Sequence, residues 1–406
     1  MREVLLVTGV PPTLASLSPL GTKLGLGMRA VIWAGLDVRN PRVNRMAKQA
    51  FVADFSLSLI NRSGAYYVCR DVVERLAPFF LAIRYWRLFL EREPRGLKRK
   101  LLGRAMLFEL NHLRSAEAFP RSRAPVKSGA ITLFFDPLYV LRTSLKREDV
   151  VLCHDVGPLT HPELFDGGTV ELYRLAYARI GAVGPGMVFV SQASRSAFRC
   201  VVAGNFRFQQ VIPLYVRAPL AGGEVEAPAG IRTPFLLTVA GLERRKNHRR
   251  IIAAFAASGL RERGYSYVFC GPRGNSAAEV AALAMSTPAV HALGYLTDPQ
   301  LRWLYRHASG FILPSLLEGF GLPALEAAQH ELVSVVSAGG AQEEAAGKGA
   351  ILVDPAATAD IARGMRQLVE MPRCERHERV ALLRAQAATL SQDRYLAEWA
   401  DLLAGQ

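Results

Sequence analysis

The chain has few cysteines, no short-spaced cysteine pair and no long hydrophobic run. Its five cysteines are Cys69, Cys153, Cys200, Cys270 and Cys374. Because they are scattered, neither a disulfide framework nor a zinc site is predicted, and a reducing compartment is expected. The apolar run Leu76–Ile83 is interrupted by Pro78 and is far shorter than the ~20 residues that span a bilayer. Met1–Val7 is predicted to be a strand rather than a signal peptide, so we expect a cytoplasmic protein.

Acidic residues are outnumbered, with 35 Asp and Glu against 50 Lys and Arg, which gives a net charge of +15. Such an excess suggests an acidic partner, namely nucleic acid, an anionic membrane surface or a phosphorylated substrate. No base-reading motif accompanies the charge, so a nucleic-acid partner is not expected. The chain also lacks an Asp-x-Asp pair, the kind of carboxylate cluster that would hold a divalent ion. We therefore predict no catalytic metal and no cofactor.

The length of the chain and its strand pattern predict two α/β domains. A chain of 406 residues exceeds the usual size of one hydrophobic core. Short apolar runs such as Val150–Cys153 and Phe235–Val239 are typical of buried parallel strands, and helix-length stretches such as His248–Ala257 alternate with them. Ala218–Gly230 is rich in Pro, Gly and Ala and has no periodicity, which indicates a linker. We expect an N-terminal Rossmann-like domain over 1–217, a linker over 218–232, a second Rossmann-like domain over 233–385 and a final helix over 386–406.

The most informative stretch runs from Ser315 to Glu326. Phe311–Pro314 is predicted to end a buried strand, a glycine-bearing turn follows, and Pro323 suits the first turn of a helix. Strand, glycine turn and helix together present free backbone N–H groups and the positive end of a helix dipole to an anion such as pyrophosphate. Glu326 is placed to bind a diol such as ribose, and Glu318 to meet what is attached beyond the phosphates. Alternatively, both glutamates are solvated surface residues beside a common kind of turn.

The spacing Glu318-x7-Glu326, with its Gly-Phe-Gly-Leu-Pro core, resembles the signature of retaining GT-B glycosyltransferases of family 4, also called glycosyl transferases group 1. Further stretches match that family in the same order: Val239–Asn247, Gly294–Leu301, Gly339–Gly347 and Val353–Pro355. A thinner N-terminal match consists of Val151–Asp155 and Val190–Ser194. The resemblance implies a GT-B fold, in which two Rossmann-like doubly wound domains face each other across a cleft. It also implies that residues 1–217 bind the acceptor, that residues 233–385 bind the nucleotide sugar, and that the final helix, 386–406, could pack back on the first domain.

The resemblance also implies roles for individual residues. Arg245 and Lys246 resemble the basic pair that holds the donor's pyrophosphate and stabilises it as it leaves. Glu326 is similar to the glutamate that binds the ribose, and Glu318 to the one near the donor sugar. His154 resembles an N-domain histidine that faces the same sugar. The catalytic set is therefore expected to be His154, Arg245, Lys246 and Glu318, with Asp155 on the acceptor side. The donor-binding set is expected to be Gly241, Arg245, Lys246, Asn247, Glu318, Gly319, Phe320, Gly321, Leu322 and Glu326.

Two departures from the family pattern leave an alternative open. Gly241 stands where many members carry an arginine, and Val10–Thr13 lacks the glycine-rich loop that many members have after the first strand. A non-catalytic nucleotide-sugar-binding subunit of a glycosyltransferase complex is therefore the rival function. Adjacent basic residues after a strand are also commonly exposed, and a single histidine such as His154 is often structural.

The reaction implied by the resemblance is metal-independent transfer of a hexose from a nucleotide-diphosphate sugar with retention of configuration. The departing phosphate would help to deprotonate the acceptor. GDP-mannose is the first expectation for the donor, because relatives with a similar Glu-x-Arg-Lys-Asn loop often transfer mannose. The expected acceptor is a saccharide or a polyprenyl-diphosphate-linked oligosaccharide in surface polysaccharide biosynthesis.

Positive charge is concentrated in one apolar segment, residues 79–127. Within it, residues 84–127 hold twelve Lys and Arg against four Glu. Apolar side chains beside cationic ones are typical of an interfacial helix on anionic lipid. This pattern predicts a peripheral protein on the inner face of the membrane. An ordinary amphipathic helix with a solvated basic side fits the pattern equally well.

Overall fold

The computed structural model describes residues 51–61, 64–112, 129–216 and 223–406. Its strands are β1 Phe51–Asp54, β2 Phe80–Tyr85, β3 Leu88–Phe89, β4 Ile131–Phe134, β5 Val150–Cys153, β6 Gly186–Phe189, β7 Phe208–Val211, β8 Phe235–Val239, β9 Ser266–Cys270, β10 Val290–Ala292, β11 Gly310–Leu313, β12 Ser334–Ser337 and β13 Ile351–Val353. Its helices are α1 Gly64–Arg75, α2 Gly96–His112, α3 Gly157–Thr160, α4 Gly167–Val183, α5 Gln192–Val201, α6 His248–Ala257, α7 Ala277–Ser286, α8 Asp298–His307, α9 Leu322–Ala328, α10 Gly340–Ala346, α11 Thr358–Glu370, α12 Arg373–Thr389 and α13 Gln392–Ala404.

The described strands form two sheets. The first sheet has the order β3-β2-β1-β4-β5-β6-β7 and the second the order β10-β9-β8-β11-β12-β13. All neighbours pair in parallel except the hairpin between β2 and β3. Parallel strands are covered by helices on both faces, which is why every residue of β5 and of β11 is buried. The prediction of two doubly wound parallel sheets is confirmed.

We call residues 51–216 the N-lobe and residues 223–389 the C-lobe. Helix α12 contributes Val380 and Leu383 to the cores of the C-lobe. Helix α13 then packs on the N-lobe, where Trp399 is fully buried and its ring centroid lies 6.4 Å from that of Phe135. Tyr395 on the same helix donates a hydrogen bond to the carbonyl oxygen of Val68 at 3.3 Å. The end of the chain therefore ties the C-lobe back to the N-lobe.

The basic, apolar segment has a different structure from the one its composition suggests. Its first part is the strand β2 and the short β3, and only α2 is a long helix; residues 113–127 lie outside the described residues. Arg84 does not contribute to a surface patch, because it is 3% exposed and its Nε lies 3.0 Å from Asp54 Oδ2. A buried guanidinium needs such a partner to offset its lost hydration. Arg84 is therefore not one of the cations of the segment 79–127 that can face a membrane surface.

Candidate functional site

The loop after β8 is held in place by Asn247. This residue has a φ of 62°, in the left-handed region that asparagine tolerates better than most residues. Its Nδ2 donates to the carbonyl oxygens of Pro314 at 2.9 Å and Pro355 at 2.7 Å, and its Oδ1 accepts from Arg250 at 3.3 Å. The Asn247 side chain, predicted to contact the donor, is therefore engaged in joining the loops that follow β8, β11 and β13.

The loop after β11 is fixed by a second buried amide, that of Gln342. Its Nε2 donates to Leu313 O at 2.8 Å, and its Oε1 accepts from the backbone nitrogens of Ser315 at 3.2 Å and Ser337 at 3.3 Å. Gln342 is 2% exposed, so these bonds are shielded from water. Gln342 lies inside the family-matching stretch Gly339–Gly347. The sequence predicted no role for it, because its partners Leu313 and Ser315 are distant in the chain.

Arg245, Lys246 and Glu318 meet at the carboxyl ends of β8 and β11. Lys246 Nζ lies 2.5 Å from Glu318 Oε1, and Arg245 Nη1 lies 3.2 Å from Glu318 Oε2. Ser315 Oγ donates to the same carboxylate at 2.9 Å. The side chains of Arg245, Lys246 and Glu318 are 23%, 10% and 8% exposed. The structure thus brings together two predicted cations and one predicted carboxylate in a largely buried group.

Electrostatics keep Glu318 ionised. Burial acts to raise the pKa of Glu318, but Lys246 and Arg245 outweigh it and hold that pKa below its usual value. Burial acts to lower the pKa of Arg245, whereas the carboxylates of Glu318 and Glu243 raise it above its usual value. For Lys246 burial is the stronger effect, and its pKa lies below the usual value despite Glu318. The site therefore holds a permanent guanidinium beside an ammonium whose charge depends on nearby anions.

Glu243 is a second carboxylate in this site, and it lies in a slot between two glycines. Its Oε2 accepts from Arg245 Nε at 2.6 Å. A Cβ at Gly241 would lie 3.1 Å from Glu243 Oε1, and one at Gly274 would lie 2.7 Å from Glu243 Cγ. The space beyond Gly241, where many members of the resembled family carry an arginine, is here used by Glu243. The sequence signal for the presence of Glu243 in the site was its position at the start of the Glu-x-Arg-Lys-Asn stretch, Glu243 to Asn247.

His154 and Asp155 approach from the N-lobe, directly after β5. His154 Nε2 lies 3.2 Å from Phe135 O, and burial lowers the pKa of this histidine, which favours a neutral ring. Asp155 Oδ1 accepts from Gly157 N at 2.8 Å. The negative charge of Asp155 also helps to raise the pKa of Arg245. Asp155 therefore interacts electrostatically with Arg245 across the boundary between the lobes.

Asp136 lies in the same region, at the carboxyl end of β4. The hydroxyl of Tyr173 lies 3.1 Å and 3.0 Å from its two oxygens. Burial raises the pKa of Asp136 to about 6, and the carboxylates of Asp155 and Asp54 add to the effect. Sequence reasoning missed this residue, because a single aspartate after a strand has no distinguishing pattern.

The glycine-bearing turn lies against the N-lobe. Gly321 has a φ of 107° and caps α9. A Cβ at Gly319 would collide with the carbonyl group of His154, so glycine permits backbone contact between the lobes. Phe320 and Leu322 bury their side chains in the core cluster of the N-lobe, which leaves only their backbones for a ligand. Glu326 is half-buried on the same helix.

A cavity of about 300 Å³ lies between the lobes. Its N-lobe lining includes Asp155 and Ser194, and its C-lobe lining includes Glu318, Ser337 and Gly340. Arg245, Lys246 and Glu326 do not line it. The cavity therefore borders the predicted site on one side of Glu318 and does not contain all of it.

Among the residues that the structure describes, no group of three or more His, Cys, Asp or Glu side chains is arranged to hold a metal ion. Across the same residues, no helix has both the length and the apolar character needed to cross a bilayer.

Comparison with known proteins agrees with the resemblance of the C-lobe. Residues 227–382 match the family model described as glycosyl transferases group 1. The "Serotype-specific mannosyltransferase WbdA" of Escherichia coli is 24% identical over 246 residues, which is 56% of this chain and 30% of that protein. The "O-antigen chain mannosyltransferase B" of Escherichia coli is 30% identical over 125 residues, which is 30% of this chain and 33% of that protein. The chain thus spans about a third of the length of the curated relatives it matches.

Solved structures share the fold over most of the chain. The E. coli trehalose-6-phosphate protein bound with UDP-2-fluoro glucose has a TM-score of 0.58 at 12% identity, covering 87% of this chain and 85% of that one. The alpha,alpha-trehalose-phosphate synthase (UDP-forming) from Burkholderia vietnamiensis has a TM-score of 0.55 at 14% identity, with the same coverage. These neighbours are GT-B glycosyltransferases, so the predicted GT-B fold is confirmed.

Proposed function

We propose that this GT-B chain, whose residues 227–382 match the glycosyl transferases group 1 family, is a family 4 hexosyltransferase that uses a nucleotide-diphosphate sugar. The observation that supports this most directly is the convergence of Arg245 and Lys246 on Glu318. Two cations in a largely buried group can stabilise an anion whose negative charge increases in the transition state. A preorganised cation in such a place stabilises that charge more strongly than one in water.

The proposed reaction breaks the bond between the sugar's anomeric carbon and the diphosphate oxygen. The electron pair of that bond goes to the leaving nucleotide diphosphate, which Arg245 and Lys246 stabilise together with backbone N–H groups near Leu322. The acceptor hydroxyl forms the new bond on the same face of the sugar, which retains the configuration, and its proton goes to the departing phosphate. No metal ion is needed in this scheme, because two protein cations take its electrostatic role.

The donor and acceptor are proposed more specifically as GDP-mannose and a saccharide or polyprenyl-diphosphate-linked oligosaccharide of a surface polysaccharide. The support is that the curated relatives are named mannosyltransferases, one of them acting on an O-antigen chain. Those relatives match only part of this chain, so the donor must be tested directly.

Membrane association is proposed for α2, inside the segment 79–127. Leu97, Leu101 and Phe108 are 72%, 55% and 65% exposed, and their spacing of four and seven residues places them on one face of the helix. Lys98, Lys100 and Arg104 are exposed beside them. An apolar stripe with cationic flanks suits the inner, anionic face of a membrane, where each cation contributes ~1 kcal/mol.

The experiment is a transfer assay with the purified full chain, radiolabelled GDP-mannose and a membrane extract as the source of acceptor, with and without a chelator. We expect labelled product in both conditions, and loss of product in Lys246→Ala. Arg249→Ala is the matched control, because Arg249 is 76% exposed and pairs with Glu279 on the surface. Product formed equally well by Lys246→Ala would remove that residue from the mechanism.

A binding assay separates the enzyme from the rival, a non-catalytic nucleotide-sugar-binding subunit. Thermal shifts with GDP, UDP, ADP and dTDP sugars identify the donor, because a ligand that binds the native state raises the melting temperature. A shift without any transfer or donor hydrolysis, in the presence of the extract, supports the rival. Neither a shift nor turnover with any of these donors would contradict both functions.

A further inference from the structure

The motif Val190–Ser194 matches the resembled family, yet the proposed reaction gives it no role. It follows β6, and Ser191 caps α5 by accepting a hydrogen bond from Ser194 N at 2.9 Å. A serine at the start of a helix is common and by itself indicates only a stable helix end. The contacts that this motif makes with the C-lobe go beyond capping.

Two serine hydroxyls bridge carbonyl groups of the two lobes. Ser191 Oγ lies 2.8 Å and Ser194 Oγ lies 3.0 Å from Gly319 O, and Ser194 Oγ also lies 3.0 Å from His154 O. Ser191 Oγ also lies 2.9 Å from Ser194 Oγ. Each hydroxyl carries a single hydrogen, so both carbonyls receive a hydrogen bond at once when Ser191 donates to Gly319 O and Ser194 donates to His154 O. Ser191 and Ser194 are 0% and 4% exposed, and water therefore cannot readily replace them.

Glu344 makes a second, independent contact across the lobes. Its Oε1 accepts from Gln192 N at 2.8 Å, and its Oε2 accepts from Ala193 N at 2.9 Å. Glu344 lies on α10 of the C-lobe, whereas both nitrogens belong to the first turn of α5 in the N-lobe. Those nitrogens have no partner within α5, and the positive end of the helix dipole favours a carboxylate there.

We propose that Ser191, Ser194 and Glu344 form a clasp between the lobes that positions the loop carrying Glu318 for the reaction. Gly319 directly follows Glu318, and its backbone lies so close to His154 that a side chain would not fit. The clasp therefore sets the distance between Glu318 on one lobe and His154 and Asp155 on the other. These three residues are positioning residues, and their role in turnover rests on the proposed function.

The test compares Glu344→Gln and Ser194→Ala with the wild-type full chain. Each variant should show faster hydrogen exchange in residues 315–322 and at the start of α5, and a more open profile in small-angle X-ray scattering. Glu343→Gln is the matched control for lobe separation, because Glu343 Oε2 accepts from Gly339 N at 2.5 Å within the C-lobe alone. Ser194→Thr keeps the hydroxyl and should restore the wild-type exchange rate.

The kinetic expectation is a roughly tenfold fall in kcat/KM for the donor in each variant, the size that the loss of one hydrogen bond involving a charged or buried group produces. The melting temperature does not distinguish the two roles, because a merely structural role would also lower it, but without opening the lobes. Exchange and scattering equal to wild type in both variants would overturn the clasp. Hydrogen exchange and scattering can be measured without turnover. A wild-type chain that transfers no sugar would therefore contradict the proposed function without contradicting the clasp.

Discussion

Lys246 donates to the carboxylate of Glu318 at 2.5 Å, although the two residues lie 72 positions apart in the chain. In this pairing Glu318 acts as the counter-ion of the cations that we propose bind a diphosphate. A buried cation that loses its only strong partner destabilises the folded chain. The pairing therefore links the stability of the C-lobe to the occupancy of the proposed site.

Replacement of Glu318 by alanine should lower the free energy of unfolding by about 3 kcal/mol, because among the described residues it leaves Arg245 ion-paired with Glu243 alone and Lys246 without a direct ion pair. Urea unfolding measures the change. A nucleotide diphosphate should then stabilise Glu318→Ala more than it stabilises the wild type, since the ligand supplies the missing negative charge. Equal stabilisation of both proteins would contradict binding of the diphosphate at this pair.

Replacement of Glu243 by glutamine should raise the KM for the donor severalfold and leave the fold intact. The carboxylate that holds Arg245 Nε at 2.6 Å becomes a neutral amide, so the guanidinium is less fixed in direction. Steady-state kinetics with varied donor check the prediction. Glu279→Gln, which alters a surface pair with Arg249, is the control. An unchanged KM in Glu243→Gln would show that Arg245 is held without Glu243.

Acid should destabilise the C-lobe through His248. This residue is 1% exposed, its Nε2 lies 3.1 Å from Gly241 O, and burial lowers its pKa to about 4. At pH values between about 4 and the usual pKa of about 6.5, His248 is protonated in the unfolded chain but not in the folded chain. Stability is therefore present above pH 6.5 and is lost as the pH falls towards 4.

Replacement of His248 by glutamine should flatten this part of the pH profile, because the amide can keep the contact with Gly241 O but does not titrate. Urea unfolding of both proteins at several pH values between 4 and 7 measures the difference. If the free energy of unfolding changes with pH equally steeply in the wild type and in His248→Gln, His248 is not the cause of the acid sensitivity.

Introduction of glutamate at Leu101 and Phe108 should weaken binding to vesicles that contain anionic lipid by about tenfold or more, because it places charge on the apolar stripe of α2. Co-sedimentation with phosphatidylglycerol vesicles, compared with phosphatidylcholine vesicles, measures the effect. Leu382→Glu is the control, since Leu382 is 42% exposed on α12 of the C-lobe. Failure of the wild-type protein to bind either kind of vesicle would contradict the membrane proposal.

Local patterns were enough to predict several elements and the type of fold. Val150–Cys153, Phe235–Val239 and His248–Ala257 are found with the predicted bounds. Their patterns are local: apolar runs mark strands buried on both faces, and amphipathic spacing marks a helix. Conversely, β1 was not predicted, because Phe51–Asp54 ends in an aspartate and is too short to be distinguished from a loop. The strand predicted over Met1–Val7 lies outside the described residues.

The burial of Arg84 shows what the composition of the basic segment does not predict. Its neighbours in sequence are apolar and cationic, which is also the composition of an interfacial helix. The partner that makes its burial possible, Asp54, lies 30 positions away on β1. No local pattern contains that contact, because it arises only when β1 and β2 pair in the sheet.

From the sequence alone one could predict the two α/β lobes and single out Arg245, Lys246 and the turn at Gly319–Gly321 as a candidate anion site. Those properties depend on residues a few positions apart. Only the tertiary structure decided that Glu318 pairs with both cations, that Glu243 fills the space beside Gly241, and that Glu344 reaches the start of α5, 152 and 151 positions away in the chain. Such contacts form when parallel strands bring their carboxyl ends to one edge, where residues distant in sequence become neighbours.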